Sequence, residues 1–312
     1  DEVIVPTITF IAPINAVAYN GASPIFMDVD EFYNIDAAKV IDFINNETTY
    51  RNGFTYNNKT KNKISALIPV HVWGNAVWLD ELLLLCKERN IKVLEDASES
   101  LGTFYNKGKC KSKHTGTVGM IGCLSFNGNK IITSGGGGMI LTDNHGLAEK
   151  AKYMSKQAKD DKVKYIHNEI GYNYRLSNIQ AALGVAQLEE LPKFLKNKRR
   201  IHHQYIKAVE NIEGLSIANT PNYSDNNNWM NLIKIDSAIY SRDWQSLHDQ
   251  FKIKGIQTRP VWTLNHLQRP YKNCQSFNIE NAQKLYRNSL CIPSSSNLNN
   301  DEIGLIVDVL NE

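Results

Sequence analysis

One lysine, Lys130, stands in the segment SFNGNKIITSGGGG, residues 125–138, between small polar residues and a run of four glycines. Such an amine could be the counter-charge of a phosphate cradled by the glycines, or it could react with an aldehyde to form an imine. The segment lacks the G-x-x-x-x-G-K-[ST] order of a nucleotide phosphate loop, which weakens the first interpretation. The second needs a site that favours the neutral amine or delocalises the imine charge, because a free lysine has a pKa of about 10.4. A lysine on a solvent-facing loop is the third interpretation.

Two carboxylates, Asp96 and Glu99, lie in the segment KVLEDASESLG. Their D-x-x-E spacing is typical of a capping box, in which Asp96 caps a helix and Glu99 reaches back; on this segment alone, that interpretation is the stronger one. The alternative is a cofactor role, since a pyridoxal site requires a carboxylate beside the protonated nitrogen of the pyridine ring. In that case Ser125, together with backbone amides, would bind the cofactor phosphate.

The elements that must position these side chains alternate between short β-branched segments and helix-period segments through the first half of the chain. This order predicts an α/β domain with a mainly parallel sheet, whose ligands bind at the carboxyl ends of the strands. Pro192 is expected to divide a strongly helical stretch at 178–212 into two helices. A smaller α+β domain follows, and we divide the chain into residues 1–200 and 201–312. The predicted strands are residues 2–6, 24–29, 64–70, 92–97, 122–126 and 138–142.

The composition is that of a globular protein, with 312 residues, 42% hydrophobic and 21% charged residues, and a net charge of +3. This charge is too small to indicate nucleic acid as a partner, and the densest basic run, KNKRR at 196–200, is expected on the solvated face of a helix. No apolar stretch reaches the roughly 20 residues of a membrane span. The five cysteines form no C-x-x-C pair and the eight histidines no H-E-x-x-H pattern. We therefore expect reduced thiols, no metal site and a cytoplasmic protein.

Several segments occur in the order found in the DegT/DnrJ/EryC/StrS family of sugar aminotransferases, which the sequence resembles from residue 1 to about residue 205. They are PTITFIAPINAVAYNGASPIFMDVD, PVHVWGN, EDASESLG, SFNGNK, SGGGG and GYNYRLSNIQAALGVAQLE. The resemblance implies pyridoxal 5'-phosphate (PLP) as the cofactor and the aspartate-aminotransferase fold (PLP fold type I). It implies a three-layer large domain with a mainly parallel sheet, a smaller C-terminal α+β domain, and a homodimer with shared active sites.

The resemblance also implies roles by position. Lys130 matches the lysine that holds the cofactor covalently and, once displaced by substrate, moves a proton between substrate and cofactor. Asp96 matches the carboxylate on the pyridine nitrogen, and Ser125 matches a phosphate ligand. Phe10 matches the aromatic residue whose flat ring stacks on the cofactor. Asn173, in GYNYR, matches a residue that reaches the phosphate of the neighbouring subunit's cofactor.

Two departures from the commoner family pattern indicate a subgroup. Glu99 stands near the ring hydroxyl, where many members carry Gln or His, and SGGGG replaces GEGG. Together with the C-terminal segments TRPVWTLNHLQRPYKNC and LCIPSSSN, they are similar to the enzymes that act on UDP-linked 4-keto-6-deoxy-N-acetylhexosamines. These enzymes belong to bacillosamine and legionaminic acid synthesis, and they imply glutamate as the amino donor. Arg259, Trp262 and His266 are the candidate substrate residues, because the Arg guanidinium can donate two parallel hydrogen bonds to a diphosphate.

Three alternatives within the resemblance stay open at this point: a 3-aminotransferase, a sugar dehydratase and a PLP-binding regulator without turnover. The dehydratase branch carries histidine in place of the lysine, so Lys130 argues against it. Family members also carry further residues before DEVIVP, and we therefore expect the chain to be truncated at its N-terminus.

Overall fold

The central feature of the fold is a large β-sheet. The computed structural model describes residues 1–161 and 163–312. The strands of these residues are, in chain order, β1 (Glu2–Pro6), β2 (Ser23–Met27), β3 (Thr48–Arg51), β4 (Phe54–Asn57), β5 (Lys63–Leu67), β6 (Lys92–Asp96), β7 (Phe104–Tyr105), β8 (Ile121–Ser125), β9 (Gly138–Leu141), β10 (Lys159–Asp161), β11 (Ile166–His167), β12 (Leu215–Ile217), β13 (Ser224–Asp225), β14 (Asn231–Ile235), β15 (Arg259–Pro260), β16 (Ser276–Phe277) and β17 (Ser289–Ile292).

Helices separate most of the sheet strands. They are α1 (Ala12–Tyr19), α2 (Ala37–Asn46), α3 (Asp80–Glu88), α4 (His145–Met154), α5 (Asn178–Glu189), α6 (Leu191–Val209), α7 (Trp244–Ile253), α8 (Glu280–Arg287) and α9 (Asn300–Asn311). Short 3-10 turns lie at Val72–Gly74 and Asn265–Leu267. Among the residues that the structure describes, no helix combines the length and the apolar character needed to cross a membrane.

The large sheet has the strand order β16-β2-β1-β5-β6-β8-β9, and the hairpin β3–β4 joins it through β5. Every pair from β16 to β8 along this order is parallel, whereas β9 and the hairpin are antiparallel. Each of the six predicted strands is present and begins within one residue of its predicted start. The prediction of an α/β fold with a mainly parallel sheet is confirmed.

Strand β1 shows why the sheet lies in the middle of the molecule. All five of its residues are buried, and successive side chains of a strand point to opposite faces. Ile4 packs with residues of α2 and α3 on one face, whereas Val3 and Val5 pack on the other face with α1 and with residues from the C-terminal third of the chain. A continuous apolar run, rather than an alternating one, is typical of a parallel strand covered on both faces.

The C-terminal part contains a second sheet, with the antiparallel order β12-β14-β17-β15. Its core is shared with α6, α7 and α9 and includes Tyr205 and Phe251. Helix α5 ends at Glu189 and α6 begins at Leu191, with Pro192 in the first turn of α6, where its missing N–H is tolerated. The predicted division into two helices is confirmed. The domain boundary at residue 200 stays a prediction, and β16 of the C-terminal part pairs with β2 of the large sheet.

The basic run at 196–200 is only partly solvated, and the expectation of a fully solvated face is wrong for one residue. Lys196 and Arg199 are exposed, but Lys198 is buried, with 5% of its surface accessible. The reason is its position on α6, because Lys198, Ile201 and Tyr205 follow the 3.6-residue period and share the face that packs on the small sheet. A charge count along the sequence does not distinguish the buried lysine from its exposed neighbours.

Candidate active site

The carboxyl ends of two neighbouring parallel strands bring predicted site residues to one edge of the large sheet. Strand β6 ends at Asp96 and β8 ends at Ser125. The pairing of the two strands sets Asp96 opposite Cys123, two residues before Ser125. This is the edge at which open α/β sheets bind their ligands.

The residue before Asp96 points away from this edge. Glu95 is buried, and its Oε2 lies 2.9 Å from Nε2 of His71. Because Nδ1 of His71 accepts the N–H of Val77 at 3.0 Å, Nε2 carries the proton and donates it to Glu95. Burial alone would raise the pKa of Glu95, but the hydrogen bonds from His71 and from backbone N–H groups hold it below its ordinary value. The His71–Glu95 pair therefore lies behind this edge of the sheet, and Asp96 is the carboxylate that faces the ligand side.

A cavity of about 300 Å³ opens at this edge and brings together six of the nine predicted site residues, Phe10, Asp96, Glu99, Ser125, Lys130 and Trp262. The other residues that line it are Thr9, Ala12, Pro13, Ser98, Asn127, Asn129 and Trp229. A larger depression of about 670 Å³ lies beside α6 and β12 and includes none of the predicted site residues. We therefore take the smaller cavity as the candidate active site, because the chemistry converges there.

The amine of Lys130 is held inside this cavity. Its side chain is 13% exposed, and Nζ lies 3.5 Å from Oε1 of Glu99 and 4.4 Å from the centre of the Trp229 ring. The tight turn before it is closed by the Lys130 N–H, which donates to the carbonyl of Asn127 at 3.0 Å. The interpretation of Lys130 as a solvent-facing loop lysine is therefore wrong.

Glu99 is a buried carboxyl between Lys130 and a strained turn. Its Oε2 accepts the backbone N–H of Trp73 at 2.7 Å. The pKa of Glu99 is raised to about 7, mainly by burial and in part by the nearby Asp96, while Lys130 and the Trp73 N–H act in the opposite direction. The capping-box interpretation of the D-x-x-E spacing is wrong, because turns rather than a helix follow Asp96 and Glu99 binds Trp73. Asp96 instead closes a short turn, in which its Oδ1 accepts the N–H of Ser98 at 3.0 Å.

The four glycines after Lys130 do not line the cavity. Gly137 has φ +85, and a Cβ there would lie 2.3 Å from Cδ2 of Leu176. A Cβ at Gly138 would lie 2.3 Å from the carbonyl oxygen of Leu124 in β8. The glycines thus let β9 pair closely with β8 and let the segment before α5 pack against the loop. They therefore determine how the loop that carries Lys130 packs. The geometry does not favour the interpretation that the glycine run cradles a phosphate.

A comparison with protein-family models matches residues 1–311 to the DegT/DnrJ/EryC1/StrS aminotransferase family. The chain belongs to this family. It is 34% identical over 317 residues to the putative pyridoxal phosphate-dependent aminotransferase EpsN of Bacillus subtilis (strain 168), across 99% of this chain and 76% of that protein. It is also 34% identical over 313 residues to the GDP-perosamine synthase of Escherichia coli O157:H7, across 100% of this chain and 79% of that protein.

The fold of this family member is similar to solved aminotransferase structures. The crystal structure of a DegT DnrJ EryC1 StrS aminotransferase from Brucella abortus superposes with a TM-score of 0.85 at 23% sequence identity, across 99% of this chain and 78% of that one. The predictions of a PLP-dependent aminotransferase and of PLP fold type I are confirmed at the level of the family.

The side chains of the cavity fit PLP. Lys130 provides a nearly buried amine, and Asp96 provides a carboxylate whose Oδ2 has no hydrogen-bond partner among residues 1–161 and 163–312. Phe10 is 54% exposed at the cavity wall, so one face of its ring is open to a flat ligand. The hydroxyl of Ser125 accepts the N–H of Asn127 at 3.3 Å, which leaves its proton for a phosphate oxygen.

Three predicted site residues of this aminotransferase lie outside the cavity. Asn173 is exposed on the segment before α5, where it forms a β-bridge with Lys156. Arg259 is exposed and lies in a separate depression beside α7. His266 is half-buried, with Nδ1 2.7 Å from the hydroxyl of Thr7, and burial lowers its pKa. Their roles stay predictions.

Two tryptophans near the cavity were not recognised from the sequence. Trp229 lies over the Lys130 amine, and Trp73 stacks on Trp262 at 5.0 Å with an interplanar angle of 26°. Trp229 could have been suspected, since a tryptophan directly after the polar run NTPNYSDNNN is unusual in a loop that only faces solvent. Trp73 lies within the matched segment PVHVWGN, but nothing in its local pattern indicates that its backbone serves Glu99.

Proposed function

We propose that the protein uses PLP to transfer an amino group from glutamate to the 4-keto carbon of a nucleotide-linked 6-deoxyhexose. The observation that carries this proposal is the convergence of Lys130, Asp96 and Phe10 on one cavity in a chain of the sugar aminotransferase family. The five cysteines of the sequence are free thiols in the structure, which supports our placing the reaction in the cytoplasm.

We assign each side chain of the cavity a separate role in amino transfer. When bound, PLP supplies an electron sink for the bond changes at the substrate carbon. Lys130 would hold the cofactor and, once the substrate is bound, its amine would move the proton at the reacting carbon. Asp96 would keep the pyridine nitrogen protonated, Phe10 would stack on the ring, and Ser125 would donate to the phosphate. Glu99 lies beside Lys130 and is assigned to the side of the ring hydroxyl.

Absorbance spectra of the PLP-loaded protein test this function. Glutamate should bleach the visible band of the bound cofactor, and a 4-keto-6-deoxy nucleotide sugar should restore it. Lys130→Ala should fold but lose both the visible band and the transfer, and transfer at the wild-type rate in this variant would refute the proposal. Asp96→Asn should keep the cofactor attached and lose most activity. Since Asn serves a cap or turn about as well as Asp, a silent Asp96→Asn variant would limit Asp96 to the turn.

The same spectra separate the rival functions. A dehydratase should consume the sugar without transferring nitrogen to it, and a regulator should bind PLP without bleaching on the addition of glutamate. We propose UDP-linked N-acetylhexosamines, as in bacillosamine and legionaminic acid synthesis, as the substrates. The basis is the similarity of the C-terminal segments TRPVWTLNHLQRPYKNC and LCIPSSSN to those of enzymes that act on such sugars. Because a GDP-perosamine synthase is 34% identical, the panel of 4-keto and 3-keto sugars must contain GDP-linked and UDP-linked members. Preference for a GDP-linked sugar would overturn the UDP assignment and leave aminotransferase chemistry intact.

Trp262 is the substrate residue that the cavity supports most directly. Its indole lines the cavity, 6.4 Å from the Phe10 ring, and it is stacked from behind by Trp73. An apolar face held in this way suits the face of a sugar ring. We assign Arg259, three residues before Trp262, to the diphosphate. His266, four residues after Trp262, is assigned to the same end of the substrate.

Arg259→Ala tests this end of the site. Binding of the nucleotide sugar should weaken by about 1.5–3 kcal/mol, the usual range for a hydrogen bond to a charged group. The glutamate half-reaction should stay close to normal, and Arg269→Ala, which removes another exposed arginine, is the matched control. An equal loss in both half-reactions would place Arg259 at the carboxylate of the amino donor, and no loss in either would return it to the surface.

We propose that the functional unit is a homodimer, and the surface of α5 supports it. This helix, which the structure describes completely, buries none of its residues. Its exposed apolar side chains are Ile179, Leu183, Val185 and Leu188. A helix that carries large apolar side chains on more than one side is usually covered, so their exposure supports a partner surface here. Asn173 lies four residues before the cap of this helix, so an adjacent copy could receive its side chain.

Mixed subunits test the shared site. Lys130→Ala and Asn173→Ala chains are each expected to be inactive, but a mixed dimer contains one site with both groups intact. Mixing should therefore restore part of the activity. If subunit exchange is demonstrated and no activity returns, Asn173 does not complete a neighbour's site.

A further inference from the structure

Lys198 is a buried cation without a carboxylate partner among the residues that the structure describes. Its side chain extends from α6, and Nζ donates to the carbonyl of Trp229 at 2.8 Å and to the carbonyl of Ser294. Burial lowers the pKa of Lys198 to about 8. Removing an ammonium group from water is costly unless hydrogen bonds replace the hydration. The carbonyls of Trp229 and Ser294 replace this hydration, so Lys198 connects both backbone segments to α6.

The first carbonyl belongs to the residue that covers the reactive amine. The indole of Trp229 lies 4.4 Å from Nζ of Lys130, and its N–H donates to the carbonyl of Asn129 at 2.9 Å. The backbone N–H of Trp229 donates to Oδ1 of Asn227 at 2.8 Å. Residue 229 is therefore held at its N–H, its carbonyl and its ring, and Lys198 makes the contact to the carbonyl.

We propose that Lys198 is a positioning residue that fixes the backbone of Trp229 and thereby keeps the indole over the amine of Lys130. The inference rests on the proposed function, in which Lys130 is the group that reacts with the cofactor. An ammonium ion 4.4 Å from an indole ring is attracted by the ring face, and this attraction restricts where the flexible lysine side chain lies. Without the contact to its carbonyl, the 229 backbone can relax and the ring can leave the amine.

A purely structural role for Lys198 is the competing explanation, and Tyr205 provides the matched control. Tyr205 extends from the same buried face of α6, and its hydroxyl donates to the carbonyl of Pro293 at 2.9 Å, next to Ser294. Tyr205→Phe removes a part-buried hydrogen bond between α6 and the segment that follows β17, where Lys198→Met also removes the bond to Ser294. Unlike Lys198→Met, it leaves the contacts of Trp229 untouched. A change in the behaviour of Lys130 that appears only in Lys198→Met is therefore not a general effect of loosening α6.

The experiment follows the covalent attachment of PLP to Lys130 in the full chain after the cofactor has been removed. The growth of the visible band gives the rate, and borohydride trapping with peptide mapping shows that Lys130 carries the label. Lys198→Met should slow this attachment by about 2- to 30-fold, which corresponds to the range of a cation–π contact. Tyr205→Phe should stay within about twofold of the wild type, because it shares no hydrogen bond with Trp229 or Lys130 and distant sites act independently. In a Trp229→Leu background, Lys198→Met should cause no further slowing, since the ring through which it acts is gone.

Each result supports or refutes the inference. Attachment at the wild-type rate in Lys198→Met, or an equal slowing of Lys198→Met with and without the Trp229 ring, would overturn it. If Lys198→Met does not fold, Lys198→Gln takes its place, because the shorter Gln side chain cannot span both carbonyls and the same comparisons apply. If the wild-type chain does not attach PLP at Lys130, the proposed function fails instead, and the two failures are thus distinguished.

Discussion

Glu99→Gln is the substitution with the most specific expected effect on stability. The carboxyl is buried beside Lys130 and Asp96, and its pKa is raised to about 7 by burial. Gln has nearly the same shape, and its carbonyl oxygen can still accept the N–H of Trp73. The substitution therefore replaces an ionisable group by a permanently neutral one and retains the hydrogen bond to Trp73, while an amide nitrogen takes the place of the oxygen beside Lys130.

The pH dependence follows from the raised pKa. Between pH 4.5 and about 7 the unfolded chain has lost the Glu99 proton while the folded chain retains it, so the stability of the wild type falls as the pH rises. Below pH 4.5 and above about pH 7 both states carry the same charge at this position, and the dependence ends. The difference between 4.5 and about 7 corresponds to about 3 kcal/mol in the free energy of unfolding. Relative to the wild type, the stability of Glu99→Gln should therefore rise by about 3 kcal/mol as the pH goes from well below 4.5 to well above 7.

Urea unfolding of the cofactor-free protein at a series of pH values measures this gain. Titrations of groups that do not interact with Glu99 affect both proteins equally and cancel in the difference between the two profiles. Glu88→Gln, which removes an exposed carboxylate, should run parallel to the wild type. Parallel profiles for Glu99→Gln and the wild type would show that Glu99 ionises at an ordinary pH in the folded protein, and the reasoning from burial would be refuted.

Two further substitutions test how the site is held. Gly74→Ala should destabilise the protein by at least about 2 kcal/mol, because φ is +92 and the new Cβ would lie 1.8 Å from Oδ1 of Asn227; a loss below about 0.5 kcal/mol in urea unfolding would contradict this close approach. Asp28→Asn should cost about 2–3 kcal/mol, since the buried carboxylate accepts from Lys39 at 2.6 Å and from two N–H groups at the start of α8. This is less than the 3–5 kcal/mol of a fully buried pair, because Lys39 reaches water. Glu169→Gln, which breaks an exposed ion pair, should cost at most about 1 kcal/mol, and an equal loss in both variants would contradict a special role for Asp28.

The sheet and half of the site were readable from the sequence because both depend on local order. A parallel strand that is buried on both faces must be apolar throughout, and its carboxyl end must lie beside that of its neighbour. Asp96 and Ser125 end such strands, so their proximity follows from the strand assignments alone. The capping-box interpretation of Asp96 and Glu99 failed for a tertiary reason, since the partner of Glu99 is the N–H of Trp73, 26 residues earlier in the chain.

The rest of the site depends on contacts between distant parts of the chain. Trp229 reaches Lys130 across 99 positions of sequence, and Lys198 reaches Trp229 from a helix whose charge pattern indicates a solvated surface. The period of α6 places Lys198 on the buried face, but no local pattern shows that its partner is the carbonyl of Trp229 or that the Trp229 ring lies over Lys130. Site residues that belong to a sequence motif, such as Lys130 and Asp96, could be predicted. Residues outside the motifs that hold them in position, such as Trp229 and Lys198, could not.

Trp73 shows how the fold accommodates strain at the site. It has φ +55 and ψ +21, a left-handed conformation that costs a non-glycine residue about 1–2 kcal/mol. In this conformation its N–H points at Glu99, and its ring lies 4.8 Å from Tyr33 and 5.0 Å from Trp262. Aromatic pairs contribute about 0.5–1.5 kcal/mol each beyond their buried area, so two pairs and a hydrogen bond to a carboxyl offset the strain. Glycine at 73 would remove the strain but also the ring that supports Trp262; the sequence instead places glycine at 74, where a Cβ has no room.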